Sequence, residues 1–429
     1  MRFRHTKPDG SLRSSARLAH SWAADVGPGL VTTASDNDPS GLATYTLAGA
    51  WYGFDLLWVC VLTYPSTVAL QLIASRVAAI TGRGLTANMR EHYSPLFFYF
   101  AVARFLLANT FNVIVDVLAM GIALRVFCGG SLLLLTLVAG GVSLLLQWRI
   151  PYARYARALK WLTLAMFAYV GIVLLVDVPW QTVAIRAFVP RVIWDKDYMT
   201  MLIAVLGTTV SPYLLFAQAE EEVQGTNRRN VACREDLNRK MSVVRRDTLL
   251  RTALSNAVSI SVMIAAAATL HLLQRTPAGH SVRMADVLVP LAHGYARHVL
   301  ALALFGSASL ALPPLAGSAA GALASSFRWE CGERRDRRIA GLVVAIMVVG
   351  TAAAVGLAAW HVEPVTTLYW SAVVNGMTVT PVLVLLVLLS SRHEAVGDLA
   401  AHWSLRALSW LAAIATAAVL VAHFVLEFV

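Results

Sequence analysis

The stretch Gly27-Pro28-Gly29-Leu30-Val31-Thr32-Thr33-Ala34-Ser35-Asp36-Asn37-Asp38-Pro39-Ser40-Gly41 places two carboxylates and a proline inside an apolar run that resumes at Leu42. An ionisable side chain is expensive in a bilayer, so an acid beside a helix breaker there marks a functional site. Proline removes a backbone donor and clashes with the preceding turn, and glycine adds conformational freedom. Irregular backbone at membrane depth persists only where it lines a protein cavity. The carbonyls it frees can ligate cations. A second break stands at Gly207-Thr208-Thr209-Val210-Ser211-Pro212-Tyr213. Two interrupted helices at corresponding places in two halves of a chain point to a transporter binding site.

The remaining composition agrees. The 429 residues are 58% hydrophobic and only 14% charged, with a mean hydropathy of +0.65, which describes a polytopic membrane protein. Cys60, Cys128, Cys233 and Cys331 have no paired or CxxC spacing, so neither a disulfide framework nor a zinc site is expected. The segment 1–24 is basic and polar without the short apolar core of a signal peptide, and reads as a cytoplasmic N-terminal segment.

Eleven apolar spans follow, at about 25–52, 55–79, 95–126, 130–147, 158–178, 198–220, 248–274, 298–326, 339–360, 364–391 and 404–428. Each is long enough to cross, at roughly 20 residues per span. The first and sixth are broken. The eighth is the least regular, with Pro313-Pro314 and many small residues that permit close helix packing. With the N-terminus in the cytoplasm, 27 of the 35 Lys and Arg residues fall in cytoplasmic segments. That bias predicts N-terminus in and C-terminus out, and it explains the net charge of +11 without nucleic-acid binding. A multi-pass protein of the cell (plasma or inner) membrane is expected, with the lipid bilayer as its partner and no obligate protein partner.

Spans one to five and six to ten each begin with a broken helix. Five is odd, so the two halves have opposite orientation, as in an inverted repeat with its site near the midplane. The expected organisation is a transporter core over 25–391, built from repeats at about 25–178 and 198–391, with 404–428 as an additional helix.

At these residues the chain resembles the natural resistance-associated macrophage protein (NRAMP) family of divalent metal transporters. Gly27-Pro28-Gly29 with Asp38-Pro39-Ser40-Gly41-x-Ala43-Thr44 is similar to that family's GPG…DPGNxAT signature, and Gly207–Tyr213 to its G-A-T-V-M-P-H-N segment. Weaker echoes are Asn256-Ala257 with Ala265-Ala266-Ala267, the run Leu312–Ala324, and Asn375 with Pro381. The resemblance implies an all-α, LeuT-like 5+5 inverted repeat with broken first and sixth helices plus an eleventh. It implies metal ligation by the aspartate, by the asparagine three residues later and by the methionine before the sixth-helix proline. Here Asp38 is kept, but those other positions hold Gly41 and Ser211. The family's two sixth-helix histidines are Tyr213 and Gln218. These departures resemble the NRAMP-related magnesium transporter branch, in which proton coupling is reduced or lost.

The substitutions have a direct chemical meaning. A thioether favours transition metals, and a hydroxyl at Ser211 removes that bias. An oxygen-only site is expected: Asp38, Ser211, and the backbone carbonyls of Ser35 and Thr208. Magnesium keeps several waters when held by one or two carboxylates, and manganese also accepts oxygen ligands. Gly41 and Ser211 leave room for such waters. Each residue also has a plainer role open to it. Asp38 can cap the second half of the first helix; Ser211 can bond a preceding carbonyl. Asp36 can ligate, line a vestibule or cap. Asp116, with Asn109 and Asn112 on neighbouring turns, reads either as an ion or proton path or as interhelical glue; related proton-coupled members keep acids on this helix. Asn375 can orient a hydrated ion or pair with a neighbouring helix. Glu220-Glu221-Glu222 reads as a solvated charge run. Trp51, Trp58, Trp180 and Trp194 suit an interfacial belt.

The leading expectation is a secondary transporter of hydrated magnesium, with manganese accepted, working by alternating access with weak or no proton coupling. Magnesium or manganese is then cargo, and no cofactor is expected. The first alternative is a proton-coupled manganese or iron symporter, and the second an organic-substrate (amino acid-like) transporter of the same superfamily. No HExxH, GxSxG or phosphate-loop motif supports an enzyme.

Overall fold

The computed structural model describes residues 37–149, 164–226, 234–272, 295–327, 329, 333–399 and 401–428. The first half of span one, with Ser35 and Asp36, lies outside these residues, as do Cys233 and Cys331. The described helices are α1 (Pro39–Tyr52), α2 (Leu57–Thr81), α3 (Leu85–His92), α4 (Pro95–Cys128), α5 (Leu132–Arg149), α6 (Ala168–Leu175), α7 (Trp180–Phe188), α8 (Lys196–Thr209), α9 (Pro212–Thr226), α10 (Arg234–Ala266), α11 (Ala296–Ser326), α12 (Glu333–Ala359), α13 (Pro364–Ser391), α14 (His393–Val396) and α15 (Trp403–Phe428). Among the described residues nine helical stretches are long and apolar enough to cross a bilayer. The short apolar stretch Leu164–Leu175 and the half-helix α1 complete the eleven positions read from the sequence.

Local chemistry fixes the helix ends near the breaks. Asp38 is the N-cap of α1 in extended backbone (φ −65°, ψ 168°), with Pro39 preset for the first turn. Gly53, at φ 58°, stops α1 in a conformation that other residues rarely adopt. α8 is capped by Asp195, whose carboxylate accepts from the amides of Asp197 (3.1 Å) and Tyr198 (3.3 Å). It ends at Thr209, and α9 restarts at Pro212. Span eight runs without interruption from Ala296 to Ser326, straight through Pro313-Pro314. Dense burial of its Ala, Gly and Ser faces against α4 holds the helix together where the sequence is least regular.

The packing follows the repeat arithmetic. If spans five apart are counterparts, a two-fold axis brings each near its own partner. α4 packs on α11, α5 on α12 and α2 on α10, which are spans three and eight, four and nine, and two and seven. The exchanged pairs also match: α1 packs on α10 as α9 packs on α2. α8 crosses α13 so closely that a Cβ on Gly207 would lie 2.3 Å from the Gly376 amide nitrogen, and one on Gly376 2.2 Å from the Ile203 carbonyl oxygen. Backbone therefore rests on backbone beside the sixth-helix break. Outward-facing apolar residues such as Leu134, Leu145, Val349 and Ile414 are exposed, as a lipid-facing surface requires.

Candidate functional site

The start of α1 and the break between α8 and α9 meet in the interior. Asp38 is only 4% exposed, and its Oδ1 accepts from the Ser40 hydroxyl (2.8 Å) and the Gly41 amide (2.7 Å). The capping role is therefore filled by one carboxylate oxygen; among the described residues no hydrogen bond is made to Oδ2. A Cβ built on Gly41 would lie 3.2 Å from Asp38 Oδ1 and 3.9 Å from Thr208 Cβ, so the carboxylate faces the end of α8 across a glycine gap.

At the second break the cause lies in Pro212. In a continuous helix the Thr208 carbonyl would accept from the amide four residues on, which proline lacks. The Ser211 hydroxyl compensates, donating toward the carbonyls of Gly207 (3.2 Å) and Thr208 (3.1 Å). Ser211 thus takes the plainer role anticipated for it, and its oxygen lone pairs stay beside the carbonyl expected to ligate. Asn37 ties this region to α10, its Nδ2 donating to Ser255 Oγ (2.8 Å) and its Oδ1 accepting from Ser259 (2.9 Å).

Further residues singled out in the sequence fall into two clusters. Tyr213 is fully buried in a hydrophobic cluster. Gln218 Nε2 donates to Thr248 (3.3 Å), and its Oε1 accepts from the buried Arg251, which also donates to Gln71. Asn112 of α4 and Asn375 of α13 form a reciprocal amide pair (3.1 and 3.0 Å), joined by the Ser371 hydroxyl at 2.5 Å. Asn109 donates to Ser318 Oγ at 3.0 Å. These asparagines are interhelical glue, and Asn375 faces Asn112. Asp116 differs: it is fully buried, neither oxygen has a hydrogen-bond partner among the described residues, and it lies within electrostatic reach of Asp38.

In the acidic run near the end of α9, Glu220 and Glu222 are only partly exposed, where the sequence suggested a solvated run. Glu220 occupies space that only glycine leaves open, because a Cβ on Gly84 would meet its Oε1 at 2.1 Å. Glu222 ion-pairs with Lys240. Trp180 and Trp194 are exposed, while Trp51 and Trp58 are half-buried against the core.

The residue that sequence reading passed over is Tyr45. It is 2% exposed and lines a small polar cavity together with Thr208 and Ser259. Its spacing of seven from Asp38 puts both on one helix face, which was the available signal. A larger cavity, of about 820 Å³, opens at the far end of α1 beside Asp55, Arg186 and His271. There Asp55 is held by Arg186 and Arg191, each at 3.2 Å, so it does not offer the free carboxylate that Asp38 does.

A helix start and a helix break that meet at a buried carboxylate, inside an all-helical fold of many membrane spans, define a membrane protein of the LeuT-like fold class. The chain belongs to the natural resistance-associated macrophage protein-like family, whose profile matches residues 29–426. It is 25% identical over 402 residues to the divalent metal cation transporter MntH of Deinococcus radiodurans, covering 91% of this chain and 86% of that one. With MntH of Burkholderia ambifaria it shares 26% identity over 262 residues, 57% of this chain and 56% of that protein. That alignment spans little more than half of the relative. Among solved structures, a mutant of the Eremococcus coleocola manganese transporter is similar at a TM-score of 0.71 and 18% identity, over 93% of this chain and 86% of that one. Mhp1, a nucleobase-cation-symport-1 family transporter in a closed conformation, is similar at 0.59 and 14% identity, over 94% and 90%. At these identities the structural likeness concerns the fold alone.

Proposed function

We propose that the chain carries divalent metal cations across the membrane by alternating access, with Asp38 as the central ligand. The observation that supports this most is the buried Asp38 carboxylate next to Thr208, the residue whose carbonyl Pro212 frees, across the gap left by Gly41. Ser211 adds a neutral oxygen beside that carbonyl. The relatives are named as divalent metal cation transporters and the similar structure as a manganese transporter, and manganese is taken first as cargo. None of those reported above is named for magnesium, so the preference for magnesium drawn from Gly41 and Ser211 stands second. The all-oxygen donor set suits both ions. A carboxylate at the break disfavours an organic acid as cargo.

Weak proton coupling remains part of this reading. Tyr213 is buried and Gln218 is bonded to Arg251, and neither titrates near neutrality as histidine does. Among the described residues Asp116 is a buried carboxylate suited to carry a proton, and Asp36, outside them, is the other acid open to that role. The distribution of Lys and Arg supports a cytoplasmic N-terminus, and the core is taken as 25–391 with 404–428 outside the repeat. The test is uptake into liposomes carrying the purified protein, with metal- and pH-sensitive dyes inside. Saturable manganese and magnesium uptake without matching acidification is the expected result. No uptake of any divalent cation would overturn the transport reading, and acidification in proportion to metal flux would overturn weak coupling.

A further inference from the structure

We propose that Tyr45 determines cation specificity, its phenol oxygen meeting the ion beside Asp38. This rests on Asp38 being a cation ligand.

The donors around Asp38 are largely committed. Its Oδ1 already accepts two hydrogen bonds, and Asn37 uses both ends of its amide on α10. A hard divalent cation gathers about six oxygens, so more must come from nearby. Tyr45 stands two turns beyond Asp38 on the same face of α1. Between them is Gly41: a Cβ there would lie 3.2 Å from Asp38 Oδ1 and 3.6 Å from Tyr45 Cε2. Carboxylate and ring edge thus border one small space, with no side chain dividing them.

The hydroxyl chemistry sets which way the phenol works. Thr208 Oγ1 donates its proton to the Val205 carbonyl at 2.9 Å. Ser259 Oγ donates to Asn37 Oδ1 at 2.9 Å and toward Ser255 O at 3.1 Å. Both protons are occupied, so neither hydroxyl is left to donate to the phenol, whose lone pairs stay open to an electrophile. Tyr45 and Thr208 also line a polar cavity of about 30 Å³, shared with Thr63, Gln71, Thr252 and Ser259. That volume holds about two waters. Among the described residues no carboxylate lines it, so the charged partner for a dication is Asp38 on the other side of the ring. A neutral hard oxygen in that place supports manganese and magnesium more than cadmium, which depends less on oxygen donors.

The experiment is isothermal titration of the purified protein with manganese, magnesium and cadmium, comparing wild type, Tyr45→Phe and Thr63→Val. Tyr45→Phe keeps the ring and removes only the oxygen. It is expected to weaken manganese and magnesium about tenfold, on the scale of one hydrogen-bond-like contact, and cadmium less than about twofold. Thr63→Val, on the same cavity but away from the ring, leaves all three unchanged. A phenol with a purely structural role would lower the thermal midpoint and preserve the ratios between metals. Preserved ratios in Tyr45→Phe, or the same shift in Thr63→Val, would overturn the proposal. Wild-type protein that binds none of the three metals would instead remove the reading of Asp38 on which it rests.

Discussion

Asp38 caps a helix with one oxygen and leaves the other open, so substitution can separate the two roles. Asparagine is as good an N-cap as aspartate. Asp38→Asn should therefore leave the purified protein monodisperse and reduce metal uptake into liposomes more than about tenfold, because hard cations need a charged oxygen. Wild-type uptake by the folded variant would remove Asp38 from the site. Ser211 makes a second case. Ser211→Met supplies a soft donor next to Thr208 and should raise cadmium affinity relative to magnesium by about tenfold in titrations. An unchanged ratio would mean that this side chain does not face the ion. Asp38 and Thr208 stand out in the sequence because a helix breaker and an intramembrane acid leave a mark in one dimension, whereas Ser211 stands out only through the family resemblance. Tyr45 was not singled out, because an aromatic residue in an apolar helix usually packs, and only the empty place at Gly41 gives it another task.

The elements show where local reading stops. α8 and α13 touch through Gly207 and Gly376, and no pattern near either residue announces the other. A methyl group at Gly207 would collide with backbone, which cannot rotate aside as a side chain can. Gly207→Ala should cost about 1–3 kcal/mol and lower the thermal midpoint in detergent by several degrees. A midpoint equal to wild type would show that α13 can yield. The spans themselves were legible from hydropathy, and the break at Pro212 from its sequence. The short helices Leu85–His92 and Trp180–Phe188 were not, since two turns between long apolar runs carry too little periodicity to stand out. Pro313-Pro314 made span eight the least regular of the spans read from the sequence, yet close packing of small residues against α4 keeps α11 whole.

For the molecule as a whole, an odd number of spans per half made the inverted repeat visible before any contact was known. The sidedness of the membrane rests on charge, and the cysteines test it. Cys128, at the end of α4, is exposed and Cys60 is buried. With the N-terminus in the cytoplasm, span three ends outside, so an impermeant maleimide should label Cys128 in intact cells. Cys233, within the basic stretch 228–251, should react only after permeabilisation. The reverse pattern would invert the topology. Energetic coupling is a property of the same scale. If protons do accompany metal, Asp116→Asn should abolish lumen acidification while metal uptake continues, read with both dyes together. Acidification that persists would place the proton route elsewhere. None of this was legible from the asparagines near Asp116, whose partners on α11 and α13 are far away in the chain.

The break at Pro212 has one more consequence. A gap closed by ordinary residues can heal whenever the cargo leaves, and the helix then rejoins. A proline gap is permanent: the Thr208 carbonyl never regains a helical partner, whatever state the transporter is in. When empty, it is kept company by the Ser211 hydroxyl, a placeholder carried on the same turn. Arrival of a cation at that carbonyl is then an exchange of partners rather than the filling of a void, and departure returns the hydroxyl to its post. The resting protein thereby avoids a bare dipole in its core, and the height of that small exchange, set by one serine, bears on how readily cargo is taken up and let go.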